Sequence, residues 1–441
     1  MAQARLKFPR GFLWGTATSS HQVEGKNTLN DWHTWQEEGQ IQNDDNPGLA
    51  CDWWGGRWKE DFDRAAEAGQ NAHRMSIEWS RVQPTPDRWD EDALDHYREM
   101  IRGLTIRGMT PVVTLHHFTN PKWIARKGGW ENRDTIQHFV PYVEKVVEAL
   151  SDYVKLWCTI NEPNVYATLA YLFGDFPPGK QDLGSMFKVM TNLVRAHAAA
   201  YHAIHRVQKD SNAGMAVNYR GMAPARKWHP LDQFMAWFQS KMYNDFFPNA
   251  AYAGRLTFPY KIIHLPEAKG TQDYLGINYY TQELISFSLQ HRKELFAHRH
   301  FDPDSKLSKT GFIAHEPEGL FQALKWGKQY GIPLMVTENG IEDPEDEIRP
   351  QYIAEHIYQL WQGINYNWPI KGYFHWTLVD NFEWERGWSQ RFGLWDLDLE
   401  SQARTRRKSA DLYQEICQNN ELTSGMVESY APQSLERLFP G

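Results

Sequence analysis

Cysteine is scarce in this 441-residue chain: Cys51, Cys158 and Cys417 are far apart and share no C-x-x-C spacing. An odd, scattered set argues against a disulfide framework or a thiolate zinc site and fits a reducing compartment. No stretch approaches the roughly 20 apolar residues of a membrane span. The opening MAQARLKFPRGF holds no apolar signal-peptide core. Residence in the cytoplasm, with no membrane partner, is the expectation. Motifs of the G-x-G-x-x-G and G-x-x-x-x-G-K types are missing, so no nucleotide cofactor is implied. His116-His117 and His298-x-His300 have no third ligand at a useful spacing; they read as pocket and loop histidines, with no metal expected. The net charge of −8, with signs mixed along the chain, offers nucleic acid no footprint. The basic run Arg404–Lys408 reads as a solvated helix start. Repeats, linkers and low-complexity segments are also lacking. One domain over residues 1–441 is expected, with 418–441 as a surface tail, and no pattern fixes an oligomeric state.

Aromatic residues, by contrast, are plentiful: 20 tryptophans, 20 tyrosines and 22 phenylalanines. A large core uses many of these. A sugar-binding cleft would use others, because aromatic faces stack on the C–H faces of pyranose rings.

Eight short apolar runs read as parallel strands buried on both faces. In order they are GFLWGTATS from Gly11, AHRMSIEWS from Ala72, TPVVTLHHF from Thr110 and YVKLWCTINE from Tyr153. AGMAVN from Ala213, DYLGINYY from Asp273, IPLMVTENG from Ile332 and IKGYFHWTL from Ile370 follow. Helical stripes lie between them. Leu94, Tyr97, Ile101 and Leu104 make one, closed by Gly108. Ile136, Phe139, Val140, Val143, Val147 and Leu150 make another, behind Asp134 as an N-cap, with a bend or later start expected at Pro141. Eight alternations without a repeat predict an α/β fold, a single (β/α)8 TIM barrel. Long segments after the fifth and sixth strands predict elongated βα loops.

Barrel active sites sit where the strands end. Two strands end in glutamate: TINEP places Glu162 before Pro163, and VTENG places Glu338 before Asn339-Gly340. Pro163 disfavours helical geometry at Glu162, and Gly340 allows a tight turn. Either glutamate alone reads as a helix cap or surface ion. Together on one rim they suit glycoside hydrolysis, one carboxyl donating a proton while the other attacks the anomeric carbon.

TINEP followed by VTENG resembles glycoside hydrolase family 1, the β-glucosidase family. The similarity runs through FLWGTATSSHQVEG, SIEWSR, HHF, AHAAA, LGINYYT and GYFHWTLVDNFEWERGWSQRFGLW, in barrel order. It implies Glu162 as general acid/base and Glu338 as nucleophile, with Arg74 and Tyr280 holding the nucleophile ionised. It also implies Gln22, His117, Asn161, Glu383 and Trp384 as sugar-binding residues and Trp376 as the aromatic floor. No cofactor is implied. Phe118 stands where many relatives carry tryptophan, and Asn164 where an aromatic is common. Relatives acting on 6-phosphorylated sugars carry serine, lysine and tyrosine where this chain has Glu383, Gln390 and Phe392. A carboxylate facing a phosphate repels it, so the unphosphorylated small-molecule β-glycoside is favoured. The resemblance therefore predicts a retaining exo-β-glycosidase for β-glucosides and cello-oligosaccharides, with β-fucosides and β-galactosides as side substrates. A transglycosidase using the same intermediate and a non-catalytic sugar-binding relative are the alternatives.

Overall fold

The computed structural model describes residues 4–258 and 261–440, and in it each apolar run becomes a strand. They are β1 (Leu13–Ala17), β2 (Ala72–Ser76), β3 (Thr110–His116), β4 (Leu156–Asn161), β5 (Asn212–Asn218), β6 (Tyr274–Asn278), β7 (Leu334–Asn339) and β8 (Ile370–His375). Each pairs in parallel with its sequence neighbours, and β8 pairs with β1, so the sheet closes into a barrel. Closure removes both edges, and helices cover the outside. Every residue of β2 and β7 is consequently buried, so neither strand shows the alternation of a half-exposed sheet, and their polar residues, among them Arg74 and Glu338, are buried too.

Helix α1 (Glu91–Ile106) starts on Asp90, whose side chain accepts from the Ala93 amide, and buries Leu94, Tyr97, Ile101 and Leu104. It ends as expected at Gly108, whose φ is +76°. Helix α2 (Thr135–Leu150) departs from expectation twice. Asp134 makes no capping bond, and the helix passes through Pro141 without a break in its range. The carbonyl that loses its partner to Pro141 belongs to Gln137, on the same exposed face, where water can satisfy it.

Strand pairing slips near the carboxyl ends of the strands. β4 and β5 shift between Cys158 and Asn161, β6 and β7 between Ile277 and Asn278, and β7 and β8 between Val336 and Asn339. Such irregularities re-aim the side chains beside them. All three flank residues that face the barrel mouth.

The elongated loops are there. After β5 come the strand Gly221–Pro224 and the helix α3 (Pro230–Tyr243); after β6 come Gln282–Phe287 and Ala297–His300. These three strands form a separate small sheet above the barrel.

Two expectations change. Of the expected surface tail 418–441, the described residues 418–440 are not loose. Glu421–Thr423 pairs with Arg5–Lys7, and Leu422, Val427 and Leu438 are buried. The Arg404–Lys408 run is not simply solvated either. Arg404 pairs with buried Asp61 at 3.0 Å and Arg407 with buried Asp380 at 2.8 Å. Buried carboxylates need such partners, and the sequence gives no local sign of so distant a pairing.

Candidate active site

Glu162 and Glu338 line the same cavity of about 290 Å³ at the barrel mouth, together with His117, Tyr280, Trp376, Glu383 and Trp384. Both carboxyls are almost wholly buried, at 6% and 3% exposure. Arg74, Gln22 and Asn161 stand directly behind this surface, bonded to residues that form it. All ten residues singled out in the sequence thus meet in one place.

Glu162 does not take the extended backbone that Pro163 favours. It turns into the left-handed region, at φ 42° and ψ 56°, and Pro163 then opens a helix. A non-glycine residue there is strained, as happens where a side chain must be aimed at a site. Gly340 also does something other than expected: its φ is not positive. A Cβ at that position would lie 2.0 Å from the carbonyl oxygen of Trp376, so glycine is required by close approach.

The two carboxyls have different neighbours. The Arg74 guanidinium donates to Glu338 Oε1 at 2.5 Å, and the Tyr280 hydroxyl donates to Oε2 at 2.6 Å. Burial raises the pKa of Glu338, while Arg74, Tyr280 and Asn278 pull the other way by favouring its charged form. Burial also opposes the charge on Arg74, but Glu338 outweighs it and holds the guanidinium protonated. Leaving that fully buried cation unpaired would cost several kcal/mol, on the order of a broken buried salt bridge. Glu338 is therefore the member of the pair that carries the negative charge.

Glu162 faces no cation directly. The amides of Asn218 and Asn278 both donate to its Oε1, each at 2.9 Å. Burial first, and then the charge of Glu338, push its pKa up to about 8, against the pull of the two amides. Arg74 and Tyr280 favour the charge on Glu338, and that charge in turn favours the proton on Glu162, the division that acid-assisted nucleophilic substitution requires.

Beside this pair, Arg74 and Asn278 both donate to Asn161 Oδ1, at 2.6 and 3.1 Å, while Asn161 Nδ2 lies 3.0 Å from His117 Nε2. Burial, Arg74 and His116 hold His117 neutral. Gln22 donates to Glu383 Oε2 at 3.1 Å. Burial, Glu385 and Glu338 raise Glu383 to about 8. The rings of Trp376 and Trp384 flank His117 in near-parallel fashion, with centroids 6.1 and 5.9 Å away. Phe118 lines the cavity and packs on Trp384, giving a ring without an indole N–H. Asn164 turns away, donating to the Asn218 carbonyl at 2.8 Å. Val165, Leu169 and Phe173 line the cavity near it.

Sequence reasoning passed over Asn218 and Asn278. Both are the final residues of strands, and a strand-end polar residue was the very signal that drew attention to the two glutamates. His298 and His300 stack on one another beside His291 in a surface hairpin. Among the described residues no group of three His, Cys, Asp or Glu side chains is placed to hold a metal ion. No described helix is long and apolar enough to cross a membrane.

Known proteins resemble this one along nearly its whole length. The profile named Glycosyl hydrolase family 1 matches residues 4–422. The chain is 34% identical to Beta-glucosidase A of Thermotoga maritima, with 94% of this chain and 99% of that protein covered. It is 31% identical to the Cytosolic beta-glucosidase of Homo sapiens, covering 95% and 99%. Among solved structures, the beta-glycosidase from Pyrococcus horikoshii superposes with a TM-score of 0.90 at 36% identity, covering 97% of this chain and 98% of that one. The beta-glucosidase from Thermotoga maritima in complex with glucoimidazole gives 0.88 at 33% identity, covering 95% and 100%. With a closed barrel, two unlike carboxyls in its mouth and chain-long similarity, this protein belongs to Glycosyl hydrolase family 1 and is a glycoside hydrolase.

Proposed function

We propose that this hydrolase removes terminal non-reducing β-D-glucosyl residues from β-glucosides and cello-oligosaccharides by double displacement, with β-fucosides and β-galactosides as slower substrates. Glu338 attacks the anomeric carbon while Glu162 gives its proton to the departing glycosidic oxygen. The bond to the leaving group breaks and a glycosyl ester to Glu338 forms. Glu162, now a carboxylate, takes a proton from water, which displaces Glu338 and restores the β configuration. The observation that carries this reading is the contrast in surroundings: a cation and a phenol on Glu338, two neutral amides on Glu162. Those amides engage Oε1, so Oε2 is the oxygen left for the acid proton.

Arg74 and Tyr280 act on Glu338 and so prepare the nucleophile. Asn161, braced by Arg74 and Asn278, meets the 2-hydroxyl, where a hydrogen bond strengthens in the transition state. With its Nε2 accepting from Asn161, His117 carries its proton on Nδ1, which has no partner among the described residues and is suited to a sugar oxygen. Gln22, Glu383 and Trp384 hold the remaining hydroxyls over the ring of Trp376. A 6-phosphate would meet Glu383 and Glu385, and neither Gln390, which donates to Thr310, nor Phe392, packed on Tyr280, supplies a counter-charge. The beta-galactosidases among the relatives, about 30% identical, support tolerance of the 4-epimer. The three buried, unpaired cysteines support a cytoplasmic location.

A panel of nitrophenyl β-glucoside, β-fucoside, β-galactoside, β-mannoside and 6-phospho-β-glucoside tests the substrate. The glucoside is expected to have the highest kcat/KM and the 6-phosphoglucoside the lowest. A preference for the phosphorylated sugar overturns the assignment.

A further inference from the structure

Large apolar side chains are ordinarily exposed one at a time. On α3 they gather. Leu231, Phe234 and Trp237, at three-residue spacing, are 46%, 53% and 57% exposed, and Trp228 just ahead of the helix is 77% exposed. The opposite face is already occupied, with Met235, Ala236 and Gln239 buried. Beside α3 packs the hairpin joining Gln282–Phe287 to Ala297–His300, tied to it by the Gln239 amide donating to the Glu294 carbonyl at 3.1 Å. That hairpin exposes Leu289 and Phe296. Tyr243, the last residue of α3, lines the active-site cavity, so this surface lies at the open end of the barrel.

Charge sets the same region apart. Residues 220–300 contain ten lysines and arginines against six acidic residues, a surplus of four cations in a chain whose total is −8. Arg226 and Lys227 precede Trp228 and Lys241 lies in the last turn of α3; Arg226 is paired with Asp232 at 2.7 Å and Lys241 with Asp245, so the surplus on this surface rests on Lys227 and the further cations of the region. A second copy of the chain suits this surface poorly, because a two-fold contact sets the cationic region against itself. A polysaccharide suits it little better: stacking on sugars uses flat rings with hydrogen-bonding edges, and Leu231 and Phe234 have none. Leucine, phenylalanine and tryptophan outward on one helix, with basic residues at its ends, are what the boundary between headgroups and acyl chains accepts. The cytoplasmic face of a bilayer is negatively charged and attracts such a patch.

We propose that α3 and the adjoining hairpin form a docking surface for an anionic lipid bilayer. The contact lies in the interface and crosses nothing. It departs from the sequence expectation of no membrane partner, which rested on the lack of a spanning segment.

Co-sedimentation of the full chain with vesicles of phosphatidylcholine and about 30% phosphatidylserine tests this. The protein should pellet with these vesicles, and less with phosphatidylcholine alone. The double variant Phe234→Glu/Trp237→Glu should bind about tenfold more weakly, as expected on losing two interfacial aromatic anchors. Its kcat and KM for an aryl β-glucoside should match the parent, which also establishes that it folds. Should it fail to fold, Trp228→Ser, outside the helix, is expected to weaken binding in the same direction. Failure of the parent to bind anionic vesicles, or equal binding by parent and variants, overturns the proposal. A parent dimer broken by the double variant, or retention on insoluble cellulose without vesicle binding, overturns it in favour of a second copy or a glucan.

Discussion

Glu338 and Glu162 end strands of one barrel, lie almost fully buried and face one cavity, yet their neighbours differ in kind. A guanidinium at 2.5 Å and a phenol at 2.6 Å grip Glu338 through both oxygens. Two carboxamides at 2.9 Å reach a single oxygen of Glu162. Burial pushes both groups toward their neutral forms, so depth does not distinguish them. What distinguishes them is the sign and number of the charges within reach. The negative charge of Glu338, stabilised by Arg74, then becomes one of the causes that keep Glu162 protonated.

Removing the charged member should have the largest effect. Glu338→Gly is expected to lower kcat on an aryl β-glucoside by about ten-thousandfold or more. Azide should restore part of the rate and yield an α-glycosyl azide, and steady-state assays with and without azide check this. Near-normal turnover would break the contrast at its root. Glu162→Ala should cost roughly a thousandfold on a substrate with a poor leaving group. The loss should be far smaller on a dinitrophenyl glycoside, whose departure needs no proton; equal losses would remove Glu162 from the role of acid.

The pH dependence sharpens the comparison further. A general acid works only while protonated, so kcat/KM for the poor leaving group should fall as pH rises through about 8, the pKa of Glu162. In Glu338→Gln the neighbouring charge is gone, and Glu162 should titrate at lower pH, as followed by the side-chain carbon signal of labelled glutamate. An unmoved titration would mean that the two groups are not coupled. The smallest effect is expected of Asn218→Ala. Losing one donor to the charged form should move the titration of Glu162 upward and change kcat/KM by about tenfold at most, the scale of one hydrogen bond. A downward move would mean that Asn218 does not favour the carboxylate.

The eight strands were legible because burial on both faces demands continuous apolar runs, and such runs survive in the one-dimensional text. Glu162 and Glu338 were legible because a charged residue ending such a run is out of place. Asn218 and Asn278 end runs in the same manner, but an uncharged asparagine at a strand end is less out of place than a glutamate, and neither stood out. The partners of Arg404 and Arg407 lie 343 and 27 residues away in sequence, and no periodicity links such positions. The apolar face of α3 was hidden for another reason. It lies in the long segment after the fifth strand, where the text does not show which side of a helix is covered. Asp134 had the right chemistry for a cap, but its own backbone is helical, a conformation from which it makes no capping bond.

The turn after Glu338 rests so tightly on the backbone of Trp376 that not even a methyl group fits between them, and the Trp376 amide donates to Asn339 at 2.9 Å. The height of the Glu338 carboxyl and the level of the Trp376 ring, the nucleophile and the sugar platform of the proposed function, are thereby one coordinate rather than two. A substitution at Gly340 would shift both at once. Adjusting the pocket to a bulkier ring must proceed through the walls, at Phe118, Glu383 or Trp384, because the base can move only together with the group that does the chemistry.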